Sequence, residues 1–575
     1  MKLIDAVSIA RLPAEANGLA RRFFLVCGFE PLHLTTFLRA HLRLRATGRG
    51  VDVLAGVFGD LPGNLRRARE AGAEAAVAVI EWTDLDVRLG VRQAGAWTPK
   101  AQEDILGTVD TAIGVVRTEL EALSLACPVA LALPTLPLPP LASTPMGQLS
   151  AFEAELARRA AGLASWAASR DRLRVVNPEQ LGEISPLIGR RDLNTELFSG
   201  FPYSHTHADA LAASLASLLI PAAPKKGLIT DLDDTLWRGI LGEVGPGGVR
   251  WDLAHRSQVH AIYQRVLTTL ASRGILVGVA SKNDPELVAE ALQRADLGLD
   301  AGQLFPICAH WRPKSISVSE ILHKWNIAAD SVVFVDDSPL ELAEVRSVHP
   351  DIECVLFPRE PQRLTQLLGR LRDWFGKPLL QQEDVIRSQS LRSAEIWQDV
   401  TSGDATAYER FLASAEQRTT IDIGGNDARG RAFELVNKTN QFNLNGRRYT
   451  VAEWEAYLSL PGSFLATVAY TDKFGPLGGI SSALGRVSEA EVRLDAWVLS
   501  CRAFGRRIEH QFLSSLFAGF VAKAIVFDYV ETPRNGPIRE FLNLFHEPSP
   551  NLRISRDVFV RACPALHHAV EVNVR

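Results

Sequence analysis

The chain has 575 residues, of which 47% are hydrophobic and 22% charged, and a formal net charge of -4. This composition is that of an ordinary globular protein, and the length exceeds what one hydrophobic core supports, so about three domains are expected. The small net charge gives no basic field for nucleic acid, and no run of ~20 apolar residues predicts a membrane span. Six scattered cysteines without a C-x-x-C pair and an N-terminus unlike a secretory signal predict reduced thiols in the cytoplasm.

Residues 1–220 alternate apolar runs of strand length with helix-like stretches. Strands are predicted at 22–27, 51–57, 73–82, 128–133 and 173–176, and helices at 32–44 and 146–169. This alternation predicts a parallel sheet with helices on both faces, and the domain resembles a degenerate SGNH-hydrolase-like or flavodoxin-like domain. A hydrolase using Cys27 and His207 stays open. The favoured interpretation is a buried Cys27, loop histidines near the domain junction, and a scaffold or docking function.

A short Pro- and Lys-containing linker opens a second α/β domain, predicted at 221–375. Its first strand, 227–230, leads directly into Asp231 and Asp233 of the segment DLDDT. In an open α/β sheet, ligands bind at the carboxyl ends of the strands. Because two carboxylates there would repel each other, the pattern favours a divalent cation or a cationic group beside them.

Three further segments follow in order, and each carries polar groups after an apolar run or turn. The segment 275–283 is an apolar strand that ends in Ser281 and is followed by Asn283, the segment WRPK contributes Lys314, and the segment 331–339 is an apolar strand that ends in Asp336 and Asp337. Together the four segments supply a nucleophile, a proton-transfer group, a phosphate-binding cation and metal ligands. These are the parts that phosphoryl transfer requires.

The four motifs resemble those of the haloacid dehalogenase (HAD) superfamily. The resemblance implies that Asp231 is the nucleophile that forms an aspartyl-phosphate, and that Asp233 is the general acid and base. It further implies that Ser281 and Lys314 hold the phosphoryl group, that Thr235 and Asn283 line the pocket, and that Mg²⁺ binds Asp231, the Asp233 carbonyl and Asp336, with Asp337 as a further ligand or its hydrogen-bond partner. No large insertion separates the motifs, so the Gly-rich segment 237–251 is predicted to be a flap over an open site that suits a large substrate.

Residues 376–420 are predicted to form a helical connector, and 421–575 a third domain. In the segment 433–444, amide side chains including Asn437 and Asn440 could line a binding cleft or cap a turn, and the pattern favours neither. Strands predicted at 463–470, 477–485 and 490–498 precede a turn, a helix at 508–523 and a strand at 524–529.

The turn between that third strand and the helix reads R-x-x-G-x-R, from Arg502 to Arg507. It resembles the pyrophosphate loop of GNAT acyltransferases, which usually ends in Gly or Ala. Arg507 departs from that pattern. Its bulky side chain would keep a phosphate away from the backbone amides, which argues against tight binding of the CoA pyrophosphate.

The segments 231–245, 437–444 and 499–541 together resemble the FkbH-like proteins, HAD-type enzymes of polyketide biosynthesis with a GNAT-like C-terminal domain. The resemblance implies an α/β multidomain fold: an SGNH/flavodoxin-like domain, a HAD Rossmann-like domain with a minimal cap, and a GNAT-like α+β domain. It also implies a glyceryl transferase and phosphatase. Such an enzyme takes the glyceryl-phosphate unit of 1,3-bisphosphoglycerate, removes the phosphate and loads D-glycerate as a thioester on a phosphopantetheinylated acyl carrier protein.

The C-terminal residues can be fitted to that activity. Cys501 is the candidate acyl acceptor, because Arg502 and a nearby helix N-terminus would lower the pKa of its thiol, and His510 is a candidate base. Candidate contacts for the substrate phosphate or the carrier's phosphopantetheine are Arg502, Arg506, Arg534, Asn437 and Asn440.

Three alternatives stay open. The first is a phosphatase joined to a CoA-dependent N- or O-acyltransferase. The second is a carrier-docking scaffold without chemistry, and the third is a HAD phosphatase that acts on a small metabolite or a phosphoprotein.

Overall fold

The structure is a computed structural model, and it describes residues 1–12, 20–46, 50–93, 98–140, 144–145, 147–377, 405–424, 429–488, 491–545 and 552–574. The chain divides into two compact units, Met1–Ala223 and Pro224–Arg575. None of the helices in these ranges combines the length and the apolar character needed to cross a membrane.

The first unit is built on a five-stranded parallel sheet with the strand order β2-β1-β3-β4-β5. The strands are β1 Arg21–Val26, β2 Val51–Ala55, β3 Ala75–Val79, β4 Val129–Ala132 and β5 Leu173–Val175. All residues of β3 and β4 are buried, as expected for strands that are covered on both faces. The predicted parallel α/β sheet is thus confirmed.

Helices lie on both faces of this sheet, and all of them except Leu193–Ser199 contribute residues to two apolar clusters. They are α1 Leu3–Ala10, α2 Leu32–Arg45, α3 Leu61–Glu70, α4 Trp82–Leu85, α5 Pro99–Ala126, α6 Ala151–Ala168, α7 Pro178–Ile184, α8 Leu193–Ser199 and α9 His205–Leu219. The interpretation of the histidines at 204–209 as loop residues is wrong. The Ser204 hydroxyl accepts from the His207 amide and caps α9, so these residues form the first turn of a helix.

The second unit begins with another five-stranded parallel sheet, in the order β10-β9-β6-β7-β8. Its strands are β6 Gly227–Thr230, β7 Leu276–Ser281, β8 Leu304–Ala309, β9 Val332–Asp336 and β10 Glu353–Leu356. The helices that accompany them are α10 Leu241–Val244, α11 Gln258–Ser272, α12 Pro285–Leu292, α13 Lys314–Trp325, α14 Pro339–Val348 and α15 Leu364–Phe375. β6 is central, with β9 on one side and β7 on the other, so the residues after these strands meet at one edge.

The predicted flap at 237–251 is a small folded segment next to that edge. Arg238 and Arg250 exchange two backbone hydrogen bonds of 2.8 and 3.0 Å, and α10 lies between them in the chain. Trp237 is fully buried and Trp251 nearly so, and both join the apolar core of the domain. The flap is therefore anchored at both ends by its tryptophans.

The rest of the second unit folds around a mixed sheet with the order β17-β16-β15-β14-β13-β11-β18, and β12 pairs with β15. Its strands are β11 Gln417–Ile423, β12 Phe442–Asn443, β13 Ser463–Asp472, β14 Gly475–Val487, β15 Glu491–Leu499, β16 Ala524–Phe527, β17 Arg553–Ser555 and β18 His568–Val574. Its helices are α16 Ala405–Ser414, α17 Arg429–Lys438, α18 Val451–Leu458, α19 Ile508–Gly519, α20 Gly536–Asn543 and α21 Arg556–Ala562.

The segment predicted to be a helical connector lies partly outside the described residues, which omit 378–404. Its described part contains α16, which agrees with the expected helix, and then β11 from Gln417 onward. The expectation of helix up to 420 is therefore wrong for its last residues. Their alternating burial matches the period of a strand with one covered face.

Candidate active site

The candidate active site lies at the carboxyl ends of β6, β7 and β9. β6 ends at Thr230, so Asp231 is the first residue beyond it, whereas Ser281 and Asp336 are the last residues of their strands. Because all three strands are parallel neighbours, the motifs that are far apart in the sequence converge at one edge. This convergence is the one expected for a ligand site in an open α/β sheet.

Three carboxyl groups form the centre of the site. Asp231, Asp336 and Asp337 each offer an oxygen, and these oxygens lie within 4.8 Å of one another. Asp336 is fully buried and Asp231 is 5% exposed. The Lys314 ammonium lies 2.8 Å from Asp231 Oδ1 and 2.6 Å from Asp336 Oδ2, so one cation bridges two of the three carboxylates.

The pKa shifts in the site follow from this crowding. Burial, reinforced by the charge of Asp336, raises the pKa of Asp231 to about 7, although Lys314 opposes the shift. Burial and Asp336 also raise the pKa of Asp337. For Lys314, burial works against the charged ammonium, but the two carboxylates outweigh it and raise its pKa. The site therefore holds more negative charge than Lys314 balances.

These residues fit a divalent cation. Three carboxylates face the Lys314 ammonium and the exposed guanidinium of Arg359, which lies 3.8 Å from Asp337. One negative charge is left at a point where three oxygen ligands already converge. Hard cations such as Mg²⁺ prefer carboxylate oxygens. A cation there would favour the ionised forms that burial disfavours.

Asp233 lies apart from this cluster and turns its carboxylate towards the flap. Its Oδ1 accepts from the indole Nε1 of Trp237 at 3.0 Å and from the Leu241 amide at 3.2 Å. Its Oδ2 accepts from the Asn283 amide at 3.0 Å. The group predicted to transfer protons is thus oriented by two flap residues and by a residue beyond β7.

Asn283 also connects this group to the predicted phosphate ligand, because its Nδ2 donates to Ser281 Oγ at 3.0 Å. Ser281 and Asn283 are both 2% exposed, so the predicted phosphate ligand and the predicted pocket residue Asn283 lie together. Thr235 does not join them: it is fully buried, and its Oγ1 has no hydrogen-bond partner among the described residues. A direct substrate contact through the Thr235 side chain is therefore excluded in this conformation.

Asp234 lies between Asp233 and the flap in the chain, and the backbone conformation there accounts for its residue type. Its φ is +49°, a left-handed conformation that Asn and Asp tolerate better than most residues. Its Oδ1 accepts from the Gly239 amide at 2.9 Å, so the side chain fixes the turn that leads into the flap. An Asn could make the same bond.

Sequence analysis missed Trp237 and the Leu241 amide as partners of Asp233. The available signal was spacing: Trp237 stands four residues after Asp233 and opens the predicted flap. A backbone amide such as that of Leu241 leaves no signature in the residue type.

The C-terminal candidates are arranged differently. Cys501 begins a 3₁₀ turn, Cys501–Ala503, and is half-buried. Burial raises the pKa of its thiol, and Arg502 and the neighbouring Asn326 side chain oppose the shift without cancelling it. The predicted lowering of this pKa is wrong, because α19 begins only at Ile508 and desolvation outweighs one arginine.

Asn326 locates this thiol relative to the carboxylates. It ends α13 in a left-handed conformation, and Lys314 is the first residue of the same 12-residue helix. At 1.5 Å per residue, the two ends of α13 lie about 18 Å apart. Cys501 and the carboxylate cluster are therefore separated by roughly one helix length.

His510 faces the core rather than the thiol. Its ring lies 4.9 Å from that of Phe541 in an edge-to-face contact, and its Nδ1 is 3.3 Å from Glu509. Within the described part of the chain, none of its contacts is with Cys501. The candidate acid–base pair of Cys501 and His510 is not assembled in this structure.

Arg506 is a structural residue. Its guanidinium is fully buried, lies 3.3 Å from Asp472 and donates to the carbonyls of Arg502 and Phe504. This corrects the prediction that Arg506 contacts a substrate, because its side chain is not accessible. Arg502 is half-buried and donates to the Gly479 carbonyl at 3.4 Å.

The contacts of Arg507 show what this residue does at the position where the GNAT loop usually has Gly or Ala. Its φ is +58°, a left-handed conformation that Gly adopts readily. Its guanidinium pairs with Glu409 and donates to the Ala565 carbonyl at 2.7 Å. The side chain thus ties the loop to two other segments of the domain.

The Asn-rich stretch mainly fixes turns. Asn437 donates to the Tyr449 carbonyl and accepts from the Tyr449 amide. Asn440 accepts from Arg448 at 2.6 Å. Asn440 and Arg448 also line a cavity of about 240 Å³ together with Arg534, so two of the candidate contacts, Asn440 and Arg534, do lie together.

The open alternative of a hydrolase using Cys27 and His207 fails on geometry. The Cys27 thiol is buried and donates to the Phe29 carbonyl, and burial raises its pKa. The His207 ring contacts the hydroxyls of Thr135 and Ser185, each at 2.9 Å, and burial lowers its pKa to about 3. Both side chains are satisfied core residues.

Comparison with known proteins supports the architecture. No family model and no curated protein matches the chain. Among solved structures, the N-terminal part of the protein BF1531 from Bacteroides fragilis contains a phosphatase domain and was determined in complex with Mg. It is 17% identical, with a TM-score of 0.53 over 66% of this chain and 100% of that one.

A second match is an uncharacterized protein from Corynebacterium glutamicum. It is 16% identical, with a TM-score of 0.20 over 27% of this chain and 98% of that one. The match to the Bacteroides protein, at 17% identity, shows a common fold: this chain is built like a protein that contains a phosphatase domain.

Proposed function

We propose that the second unit hydrolyses phosphomonoesters, with Asp231 as the nucleophile and Mg²⁺ as the cofactor. The observation that carries this proposal is the convergence of Asp231, Asp336 and Asp337 within 4.8 Å, bridged by Lys314. The Mg²⁺ complex of the Bacteroides phosphatase-domain protein, which shares the fold, supports the choice of cation.

In the first step, an Asp231 oxygen attacks phosphorus and the bond to the leaving oxygen breaks. Asp233, which the flap and Asn283 orient, gives its proton to that oxygen. In the second step, Asp233 takes a proton from water, which attacks phosphorus and releases Asp231 and inorganic phosphate. Lys314 and Ser281 balance and bind the phosphoryl oxygens.

The carboxylates of Asp231, Asp336 and Asp337 would hold the cation, together with the Asp233 carbonyl. Bound there, Mg²⁺ would neutralise charge on the transferring phosphoryl group. The excess negative charge of the cluster is the property of this chain that favours such binding. The cation would displace the proton that the raised pKa of Asp231 retains near neutral pH.

The test is release of phosphate from p-nitrophenyl phosphate in Mg²⁺. Asp231→Asn removes the nucleophile and should lower the rate by about 10³-fold or more. Asp234→Asn is the matched control, because Asn can still accept the Gly239 amide bond and should keep nearly full activity. Phosphate release that persists in Asp231→Asn would refute the proposal.

We propose further that the phosphomonoester is a three-carbon acyl unit destined for an acyl carrier protein. The support is the resemblance of the segments 231–245, 437–444 and 499–541 to FkbH-like proteins. In this reaction, a thiolate attacks the acyl phosphate carbon of 1,3-bisphosphoglycerate and inorganic phosphate leaves. The 3-phosphoglyceryl thioester then loses its remaining phosphate at Asp231.

The distance between the two candidate sites constrains this reaction. Cys501 and the carboxylate cluster lie at opposite ends of α13, about 18 Å apart, so a fixed thioester on Cys501 cannot present its phosphate to Asp231. A carrier's flexible pantetheine arm would have to move the acyl unit. The raised pKa of the Cys501 thiol also favours direct capture by the carrier thiol.

Intact-mass spectrometry of a phosphopantetheinylated carrier protein tests this assignment. With enzyme, Mg²⁺ and 1,3-bisphosphoglycerate, a glyceryl adduct without phosphate is expected. Asp231→Asn should leave a phosphoglyceryl adduct instead. If no adduct forms while phosphate is still released from p-nitrophenyl phosphate, the acyl-transfer proposal is wrong and the phosphohydrolase proposal stands.

A further inference from the structure

The first unit contains a cavity of about 590 Å³ that the proposed chemistry does not use. It lies beyond the carboxyl ends of the strands, with Gly28 following β1, Gly59 following β2 and Asp84 following β3. In the order β2-β1-β3-β4-β5, the chain direction across the sheet reverses between β1 and β3. Open α/β sheets bind ligands in the crevice at such a switch point, and the volume is that of a small-molecule site.

A carboxyl group opens into this cavity. Asp84 Oδ2 accepts from the Glu81 amide at 2.8 Å, whereas Oδ1 lies over Gly28, where a Cβ would come within 1.9 Å of it. Gly28 thus makes room for the carboxylate. Burial raises the pKa of Asp84 to about 7, and the nearby negative charge of Glu81 adds to the shift.

Glu81, the buried carboxylate next to Asp84, already has hydrogen-bond donors. Glu81 accepts from the Tyr203 hydroxyl at 2.7 Å and from the Thr135 amide at 3.1 Å. Two cations also line the cavity. Arg191 lies 3.4 Å from Glu196, and Arg92, which lies beside the Phe58 ring next to Gly200, opposes the burial-driven rise in the pKa of Glu196. Within the described residues, the one hydrogen bond found for the Asp84 carboxylate is that from Glu81.

Aromatic rings complete the chemistry. Phe29, Phe58 and Trp82 line the same cavity as Asp84, and Phe58 is 53% exposed although it is a large apolar residue. Aromatic faces together with a desolvated carboxylate recognise organic ammonium ions, through cation–π attraction and direct charge pairing. Once Asp84 is ionised, an ammonium ion compensates its charge, whereas a neutral ligand leaves that charge without a partner.

We propose that this cavity binds an organic ammonium ion with an apolar or aromatic body, the ammonium pairing with Asp84 and the body lying among Phe29, Phe58 and Trp82. Nothing in the phosphohydrolase mechanism depends on this site. If the cavity does not bind an ammonium ion, the assignment of Asp231 as the nucleophile is unaffected. If Asp231 is not the nucleophile, the proposed ammonium site is unaffected.

The probe is 2-phenylethylamine, with 2-phenylethanol as its neutral analogue of nearly equal shape. Calorimetric titration of the full chain at pH 8 should show the amine binding at least about 10-fold more tightly than the alcohol. Asp84→Asn keeps the acceptor for the Glu81 amide and should abolish this preference. Asp171→Asn, an exposed acid outside the cavity, should keep it.

Phe58→Ala provides a second variant in case Asp84→Asn folds poorly, because Phe58 is exposed and its loss leaves the core intact. It should weaken amine binding about 5-fold. Phosphate release from p-nitrophenyl phosphate should be unchanged in all three variants. Equal binding of the two probes, no binding of the amine at about 10 mM, or an unchanged preference in Asp84→Asn would each overturn the proposal.

Discussion

The carboxylate cluster and the turn around Cys501 both contain the residue types of an active site, but they use their polar groups in opposite ways. At the cluster, Asp231, Asp336 and Asp337 crowd around Lys314, with the exposed Arg359 at 3.8 Å from Asp337, and one negative charge is left over. At the turn, Arg506 and Arg507 are each matched with a carboxylate and with carbonyls. Uncompensated buried charge marks a place for a ligand, whereas matched charge marks a structural contact.

Lys314→Met should show the largest effect that separates the two regions. The substitution removes the cation that bridges Asp231 and Asp336. Without this positive charge to stabilise the transferring phosphoryl group, kcat/KM for p-nitrophenyl phosphate should fall by about 10³-fold. Lys282→Met is the control, because its ammonium pairs with Glu341 at 2.7 Å. Similar losses in both variants would contradict the specific role of Lys314.

Arg506→Met should lower the stability of the folded protein, which is the effect expected for a structural contact. Asp472 would lose its buried cation and keep the Tyr470 hydroxyl and the Phe474 amide as donors. Breaking a buried ion pair costs about 3–5 kcal/mol of folding free energy. Denaturant unfolding would measure this loss. Arg534→Met, at an exposed position, should change stability by less than about 0.5 kcal/mol. A stable Arg506→Met protein would return Arg506 to the candidate ligand contacts.

A pH series in metal-free and Mg²⁺-containing buffer tests the charge excess directly. The pKa of Asp231 is raised from 3.8 to about 7, so the folded chain holds a proton that the unfolded chain has lost between these values. Stability of the metal-free protein should therefore fall as pH rises through this window. Mg²⁺ binds the ionised carboxylates, so it should raise Tm more at pH 8 than at pH 5.

The control for the pH series is Asp336→Asn, which removes a buried carboxylate and should reduce the Mg²⁺-induced rise in Tm. Cys501→Ala should leave that rise unchanged. A Tm increase that is equal at both pH values, or that persists in Asp336→Asn, would argue against metal binding at the cluster.

The same contrast explains what the sequence could predict. The parallel sheets and the convergence of Asp231, Ser281 and Asp336 follow from apolar runs that end in polar residues, because parallel strands deliver their ends to one edge. The role of Arg506 does not follow, since its partner Asp472 is 34 residues away on β13. The pKa of Cys501 was predicted from Arg502 and a helix end, but desolvation decides it. Long-range pairing and burial are set by tertiary packing, which local residue patterns do not encode.

Trp237→Phe should give the smallest and most diagnostic effect. It removes the indole N–H that donates to Asp233 Oδ1 at 3.0 Å and keeps an aromatic ring in the core. Because general acid catalysis matters most for poor leaving groups, kcat/KM should fall about 10-fold for an alkyl phosphate and less for p-nitrophenyl phosphate. Trp251→Phe is the matched control at the other end of the flap, where the indole donates to the Asp296 carbonyl. It should change both substrates equally. An equal loss on both substrates in Trp237→Phe would mean that the indole supports the flap rather than positioning the proton donor.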